Sequence, residues 1–128
     1  MAYVLDTNVA IHLRDGDPDV ATRVTTLEGA ILLSIISRVE LEGGVYREAT
    51  QAGLRRSRLD AMLKVLPVLD FDGAAADAYR RIVEAAGYSR RKVVDRMIAA
   101  QALAHRATLV TFNADDFRDI PGLSLLAW

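Results

Sequence analysis

The sequence has no cysteine and, among its 128 residues, only two histidines, three prolines and one tryptophan. The absence of cysteine excludes disulfide bonds and thiolate metal sites, which fits a reducing cytoplasm. The N-terminus lacks the basic and then apolar pattern of a signal peptide, and no apolar run is long enough to span a membrane. The net charge of −1 gives no overall attraction to nucleic acid. Any attraction of a polyanion must therefore be local.

Short apolar segments alternate with segments of helical periodicity, and the length fits one domain over residues 1–128. This alternation predicts a three-layer α/β domain with a parallel sheet. The predicted strands are Ala2–Leu5, Ala30–Ser34, Val68–Phe71, Thr108–Thr111 and Leu123–Ala127. The predicted helices are Thr7–Arg14, Pro18–Leu27, Ser37–Glu48, Leu54–Leu66, Gly73–Ala86 and Val93–His105, with a short helical turn at Asn113–Phe117.

Four acidic residues stand just past an apolar run or in the first turn of a predicted helix: Asp6, Glu40, Asp95 and Asp116. Helix starts that follow parallel strands open on the carboxyl edge of the sheet, where α/β domains place their sites. Carboxylates crowded there repel unless a cation joins them. Without cysteine, and with two isolated histidines, the sequence favours Mg²⁺ or Mn²⁺ as that cation.

Each acid also has a purely structural explanation. Asp6 is a good helix N-cap, and Ser37 with Glu40 spells a capping box. Asp95 would stabilise the first turn of its helix, where the dipole favours a negative charge. Asn113 is a further candidate cap, with Asp116 three residues later. The shared location and the repulsion between the acids favour a metal site over four separate caps.

Polar side chains beside the acids are candidates for orienting them through hydrogen bonds. They are Thr7, Asn8, Ser37, Thr111 and Asn113. The basic run Arg90-Arg91-Lys92 shortly precedes Asp95, so it could contact the phosphates of a nucleic acid at the rim of the site or could be a solvated loop. The sequence holds 14 Arg against 2 Lys, which suits phosphate binding but also follows from genomic base composition.

The acids lie in sequence segments that resemble those of the PIN domain, and more closely those of the VapC group of toxin ribonucleases from bacterial toxin–antitoxin pairs. The resemblance extends over essentially the whole chain. The matching segments are Asp6-Thr7-Asn8, the run Ser34 to Leu41, the run Asp95 to Ala102, and the run Leu109 to Phe117 followed by Pro121-Gly122-Leu123.

This resemblance implies a parallel sheet of strand order 3-2-1-4-5 and Mg²⁺- or Mn²⁺-dependent endonucleolytic cleavage of RNA. Asp6, Glu40 and Asp95 match the three principal acids of the family. The fourth position is open among Asn113, Asp115 and Asp116, and Asp116 is preferred because its neighbour should point away on a helical turn. The resemblance also implies a homodimer and a cognate antitoxin, whose peptide places a basic side chain against the acids.

The expected mechanism uses one or two metal ions and a metal-activated water, with Asp6 as the central ligand. Two other functions compete with it. A receiver-like phosphoacceptor domain would have the same length and an acidic Mg²⁺ site, but Asp6 is single and both lysines, Lys64 and Lys92, precede the fourth strand. A PIN fold that only binds a partner is the second alternative, and the presence of all four acids disfavours it.

Overall fold

A computed structural model describes all 128 residues as a five-stranded parallel sheet in the order β3-β2-β1-β4-β5. This confirms the predicted order and differs from the 2-1-3-4-5 order of receiver domains, so the receiver-like alternative is wrong. The strands are β1 (Ala2–Leu5), β2 (Ala30–Ser34), β3 (Val68–Leu69), β4 (Thr108–Thr111) and β5 (Ser124–Ala127). The helices are α1 (Thr7–Arg14), α2 (Pro18–Thr25), α3 (Ile35–Val45), α4 (Ala52–Val65), α5 (Gly73–Ala86) and α6 (Val93–Ala104), with 3₁₀ turns at Ala49–Gln51, Arg90–Lys92 and Ala114–Phe117.

The central strand β1 determines where the chain begins its first helix. Leu5 pairs with Leu33 of β2 on one side and with Val110 of β4 on the other. Strand β1 is apolar on both faces because helices cover both sides of the sheet. Asp6 follows directly, and its backbone N–H still donates to the Val110 carbonyl at 2.9 Å. The first acid is therefore fixed at the carboxyl edge by the innermost strand.

Two hydrophobic cores, one on each face of the sheet, hold the three layers together. Leu5 and Leu33 pack with residues of α1 to α4. Val4 and Leu109, whose side chains point to the opposite face, pack with residues of α5 and α6, such as Ile98. None of the helices combines the length and the apolar character that a membrane crossing requires.

Helix α3 begins at Ile35, two residues before the predicted start at Ser37. Ser34 caps it instead, because its Oγ accepts the Ile36 N–H at 3.0 Å. The predicted capping box of Ser37 and Glu40 was therefore wrong. The earlier start turns the buried Ser37 toward α1 and places Glu40 beyond the first turn. The helix ends at Val45, just after Gly43-Gly44.

Candidate active site

The carboxyl edge of the sheet opens into a cleft of about 630 Å³. The chain reaches it from the ends of β1 and β4, from the middle and end of α3 and from the start of α6. All four acids proposed from the sequence line this one cleft. The full lining consists of Asp6, Thr7, Asn8, Ile11, Glu40, Gly43, Gly44, Tyr46, Arg47, Asp95, Asn113, Asp116 and Phe117.

Asp6 is the buried member of the acidic group, with 5% of its surface exposed. Its Oδ1 accepts the Thr7 N–H at 2.9 Å, and its Oδ2 accepts the Thr111 hydroxyl at 2.8 Å. Burial raises its pKa above the ordinary 3.8, the two hydrogen bonds oppose that rise, and the charges of Glu40 and Asp116 add to it. Asp6 therefore caps the N-terminus of α1, and hydrogen bonds hold both of its carboxylate oxygens in place.

Glu40 is oriented by a short chain of hydroxyl groups. The Thr7 hydroxyl donates to Glu40 Oε1 at 2.8 Å and lies 2.8 Å from the Ser37 hydroxyl. A threonine hydroxyl has one proton, so with that proton on Glu40 the serine must be the donor in the second bond. Glu40 is exposed on α3, and this chain leaves its second oxygen free toward the cleft.

Asp95 lies in the first turn of α6, where the helix dipole favours its charge. It is half-buried. Burial raises its pKa above 3.8, the charges of Asp6 and Asp116 raise it further, and Lys92 acts in the opposite direction. Asp95 therefore interacts electrostatically with Asp6 and Asp116, although the three side chains come from different elements.

Asp116 and its neighbour Asp115 lie differently with respect to the cleft. Asp116 lines the cleft, whereas Asp115 lies outside it, is 84% exposed and forms an ion pair with Arg118. Asn113 also lines the cleft, but its side chain does not cap the turn Ala114–Phe117. Its backbone N–H donates to the Thr111 hydroxyl at 3.0 Å, so Asn113 helps to fix the residue that holds Asp6.

The cleft has the chemistry of a hard-cation site without a closed ligand shell. None of the four acids forms an ion pair, although ten ion pairs occur elsewhere in the chain. No three Asp, Glu, His or Cys side chains lie close enough together to hold an ion as they stand. Mutual repulsion favours that separation. The oxygen donors and their uncompensated charge fit Mg²⁺ or Mn²⁺.

The structure departs from the sequence expectations around the acids. Thr7 and Thr111 donate to the acids as predicted, whereas Ser37 bonds the Thr7 hydroxyl and the side chains of Asn8 and Asn113 form no hydrogen bond. The run Arg90-Arg91-Lys92 does not line the cleft, and Lys92 reaches Asp119 at 3.4 Å. The contact of that run with RNA at the rim of the cleft stays a prediction.

Sequence reasoning missed the cleft wall at the end of α3, formed by Gly43, Gly44, Tyr46 and Arg47. A signal was present, because positions 40, 43, 44 and 47 follow the spacing of one helical face. Part of the glycine pair is explained by close packing. A Cβ on Gly44 would lie 3.2 Å from the guanidinium of the buried Arg14, whereas one on Gly43 would meet nothing within 4 Å.

A buried polar network behind the acids was also missed. Gln101 of α6 is fully buried, and its Oε1 accepts the hydroxyl proton of Ser34, the cap of α3. Its Nε2 donates to the carbonyls of Leu69 and Asp70 at 2.9 and 3.0 Å. One side chain thus joins the helix of Asp95, the start of the helix of Glu40 and the end of β3.

Comparison with known proteins places this architecture in a family. The family model described as PIN domain matches residues 3–123. Ribonuclease VapC2 of Rickettsia felis is 33% identical over 136 residues, with 100% of this chain and 98% of the relative covered. The tRNA(fMet)-specific endonuclease VapC of Shigella flexneri is 29% identical over 132 residues, with 100% and 98% covered.

A solved complex shows the same fold. In the crystal structure of VapBC2 from Rickettsia felis bound to a DNA fragment from its promoter, the matching chain superposes with a TM-score of 0.86 at 32% identity. The match covers 100% of this chain and 99% of that one. The likeness therefore includes every strand and every cleft-forming segment described above.

Proposed function

This chain belongs to the PIN domain family, and we propose that it is a metal-dependent endoribonuclease that acts as the toxin of a type II toxin–antitoxin pair. One observation carries the proposal: four carboxylates without cationic partners line a single cleft, and the most buried of them, Asp6, is held through both oxygens. The relatives of this chain that are named VapC ribonucleases indicate the class of reaction.

The metal belongs to this proposal. Asp6, Glu40, Asp95 and Asp116 would hold one or two Mg²⁺ or Mn²⁺ ions through carboxylate oxygens. When bound, such an ion would lower the pKa of a coordinated water molecule and offset the charge that develops on the phosphate. We assign no residue as a covalent nucleophile, because the cleft lining contains no cysteine, serine or histidine.

The protein's own contribution is to hold the acids in place before the substrate arrives. Each Asp6 oxygen uses one acceptor site for Thr7 or Thr111 and keeps another free, because a carboxylate oxygen can accept more than one bond. Thr7 fixes Asp6 through its backbone and Glu40 through its side chain. Asp95 is held by the first turn of α6. Rigid ligands of this kind reduce the reorganisation required during catalysis.

The proposed substrate is RNA and the proposed protein partner is a cognate antitoxin. The structural relatives include VapBC toxin–antitoxin complexes. An antitoxin segment that offers Arg or Lys to Asp6, Glu40 and Asp95 would inhibit the enzyme by replacing the cations with a charged side chain. We further propose that residues 1–128 function as one PIN domain, as a homodimer, in the cytoplasm where RNA and the antitoxin are made.

Growth of a bacterial host tests the toxin role. Induced expression of this chain should arrest growth, and the Asp6→Ala form, expressed to the same level, should not. Co-expression of the small protein encoded beside it should restore growth. Unimpaired growth with the folded wild-type protein at high level would reject the toxin role. In that case, cleavage of RNA in vitro would still support the nuclease function. A PIN fold that only binds a partner would neither arrest growth nor cleave RNA.

A further inference from the structure

The acidic cleft has a single cationic side chain in its lining, that of Arg47. Arg47 is exposed, and no carboxylate pairs with it. Its neighbours on the sequence behave differently, since Arg55 pairs with Glu48 and Arg56 with Glu42 and Asp60. Arg47 is therefore free to bind a ligand, whereas Arg55 and Arg56 already form ion pairs.

The position of Arg47 follows from α3. It comes seven residues after Glu40, just beyond the end of α3 at Val45, and both residues line the same cleft. A group bound beside the acids therefore lies in the same cavity as the Arg47 side chain. Arginine is also the residue that best matches the oxygens of a phosphate.

Gly43 and Gly44 line the cleft between Glu40 and Arg47, and Tyr46 lines it beside them. Gly43 is exposed, and a Cβ added there would meet no atom within 4 Å. A Cβ on Gly44 would lie 3.2 Å from the guanidinium of Arg14, which is tighter than ordinary van der Waals contact. No comparable packing explains Gly43, which costs the helix about 1 kcal/mol relative to alanine. Gly43 thus leaves open space in the cleft wall between the acids and Arg47.

We propose that Arg47 binds a backbone phosphate of the RNA next to the one that is cleaved, and that the RNA backbone passes over Gly43 on its way from the acids. This inference rests on the proposed function, and it assigns the path of the substrate within the same site. An otherwise acidic cleft needs such a contact, because the net charge of −1 does not attract RNA.

The test measures RNA binding in the Asp6→Asn form, which leaves the RNA intact. The probe is a fluorescein-labelled single-stranded RNA of mixed sequence, and its affinity is measured by anisotropy over a range of KCl concentrations. Adding Arg47→Gln should weaken binding roughly tenfold at low salt. It should also reduce the slope of log affinity against log salt by about 0.7, the value for one phosphate contact on a single strand. Arg47→Lys should keep most of that slope.

Two further variants separate a direct contact from a general effect of charge or folding. Arg81→Gln removes an exposed, unpaired arginine that lines a different cavity on α5, and it should leave both affinity and slope unchanged. Gly43→Leu adds a side chain in open space and should weaken RNA binding while the melting temperature stays the same or rises.

The outcomes distinguish this inference from the function on which it rests. If Arg47→Gln binds RNA with the same affinity and salt slope as Arg81→Gln, the inference is overturned, and cleavage of RNA by the wild-type chain would leave the nuclease function standing. If the wild-type chain with Mg²⁺ or Mn²⁺ neither cleaves nor binds RNA, both the function and the inference are rejected. A parallel loss of affinity in Arg47→Gln and Gly43→Leu, absent in Arg81→Gln, supports the path.

Discussion

The Thr7 hydroxyl donates to Glu40 Oε1 at 2.8 Å across 33 residues of sequence. The same residue's backbone N–H holds Asp6 Oδ1. Thr7 therefore orients two acids from different elements, Asp6 at the end of β1 and Glu40 in the middle of α3, and it does so from the first turn of α1. This arrangement joins the two elements in one site, because both acids are bonded to the same residue.

Replacement of Thr7 by valine should weaken the site more than the fold. The change removes the bond to Glu40 and leaves the buried Ser37 hydroxyl without its partner. We expect unfolding free energy to fall by about 1 kcal/mol, and Mn²⁺ affinity or activity to fall roughly 10- to 100-fold, as for other residues that orient metal ligands. A Mn²⁺ titration of activity measures this. Thr7→Ser should restore most of it, and equal losses in both variants would contradict the account.

Glu40→Gln should abolish cleavage without destabilising the metal-free protein. A capping role would have made this change nearly silent, but Ser34 caps α3 and Glu40 faces the cleft. Removal of one negative charge should leave the melting temperature in EDTA unchanged or raised. Glutamine keeps an acceptor for the Thr7 hydroxyl, so the loss isolates the charge. A fully active Glu40→Gln enzyme would reject its role as a ligand.

Asp116→Asn should impair cleavage, whereas Asp115→Asn should not. Only Asp116 lines the acidic cleft, and Asp115 is occupied by Arg118 on the outer surface. The two variants differ by one position and carry the same chemical change, so each controls for the other. Initial rates at saturating Mg²⁺ measure the effect. Loss of activity in Asp115→Asn alone would move the fourth ligand by one residue and leave the other three in place.

The stability of the metal-free protein should depend on the charge of Asp6. Its pKa is raised by burial above the ordinary 3.8, so the folded state keeps a proton that the unfolded chain has already lost. The stabilisation is complete below that ordinary value and is lost as the pH rises through the raised pKa. The stability of Asp6→Asn relative to wild type in EDTA should therefore rise as the pH increases above about 4. Urea unfolding at several pH values tests this, and a constant difference would contradict it.

Much of the fold was predictable because its determinants are local. The strands Ala2–Leu5 and Thr108–Thr111 were predicted with their observed ends, since short apolar runs with polar flanks leave little choice of boundary. The start of α3 was not predicted correctly. Ser34 and Ser37 are both good caps, and only the contact of Ser37 with Thr7, 30 residues away, determines which one is used.

The same contrast holds for the functional site, where residues placed by local sequence were predictable and those that depend on tertiary contacts were not. The positions of Asp6 and Asp95 follow from a strand end and a helix start, so the sequence predicted where they would lie. The role of Gln101 depends on tertiary contacts. Gln101 stands in the otherwise apolar second half of α6, Met97 to Ala104, which marks it as unusual, but its partners Ser34 and Leu69 lie 67 and 32 residues away. Periodicity along one segment cannot reveal such partners.

Metal-dependent cleavage of RNA by the purified chain tests the central claim most directly. The protein is stripped with EDTA, freed of contaminating nucleases, and incubated with a labelled RNA before and after addition of Mg²⁺ or Mn²⁺, beside an Asp6→Asn preparation made in the same way. We predict cleavage only with added metal, and none by Asp6→Asn under any condition. Equal cleavage by the metal-free wild-type protein, or by Asp6→Asn, would contradict the assignment of the cleft as a carboxylate-held metal nuclease site.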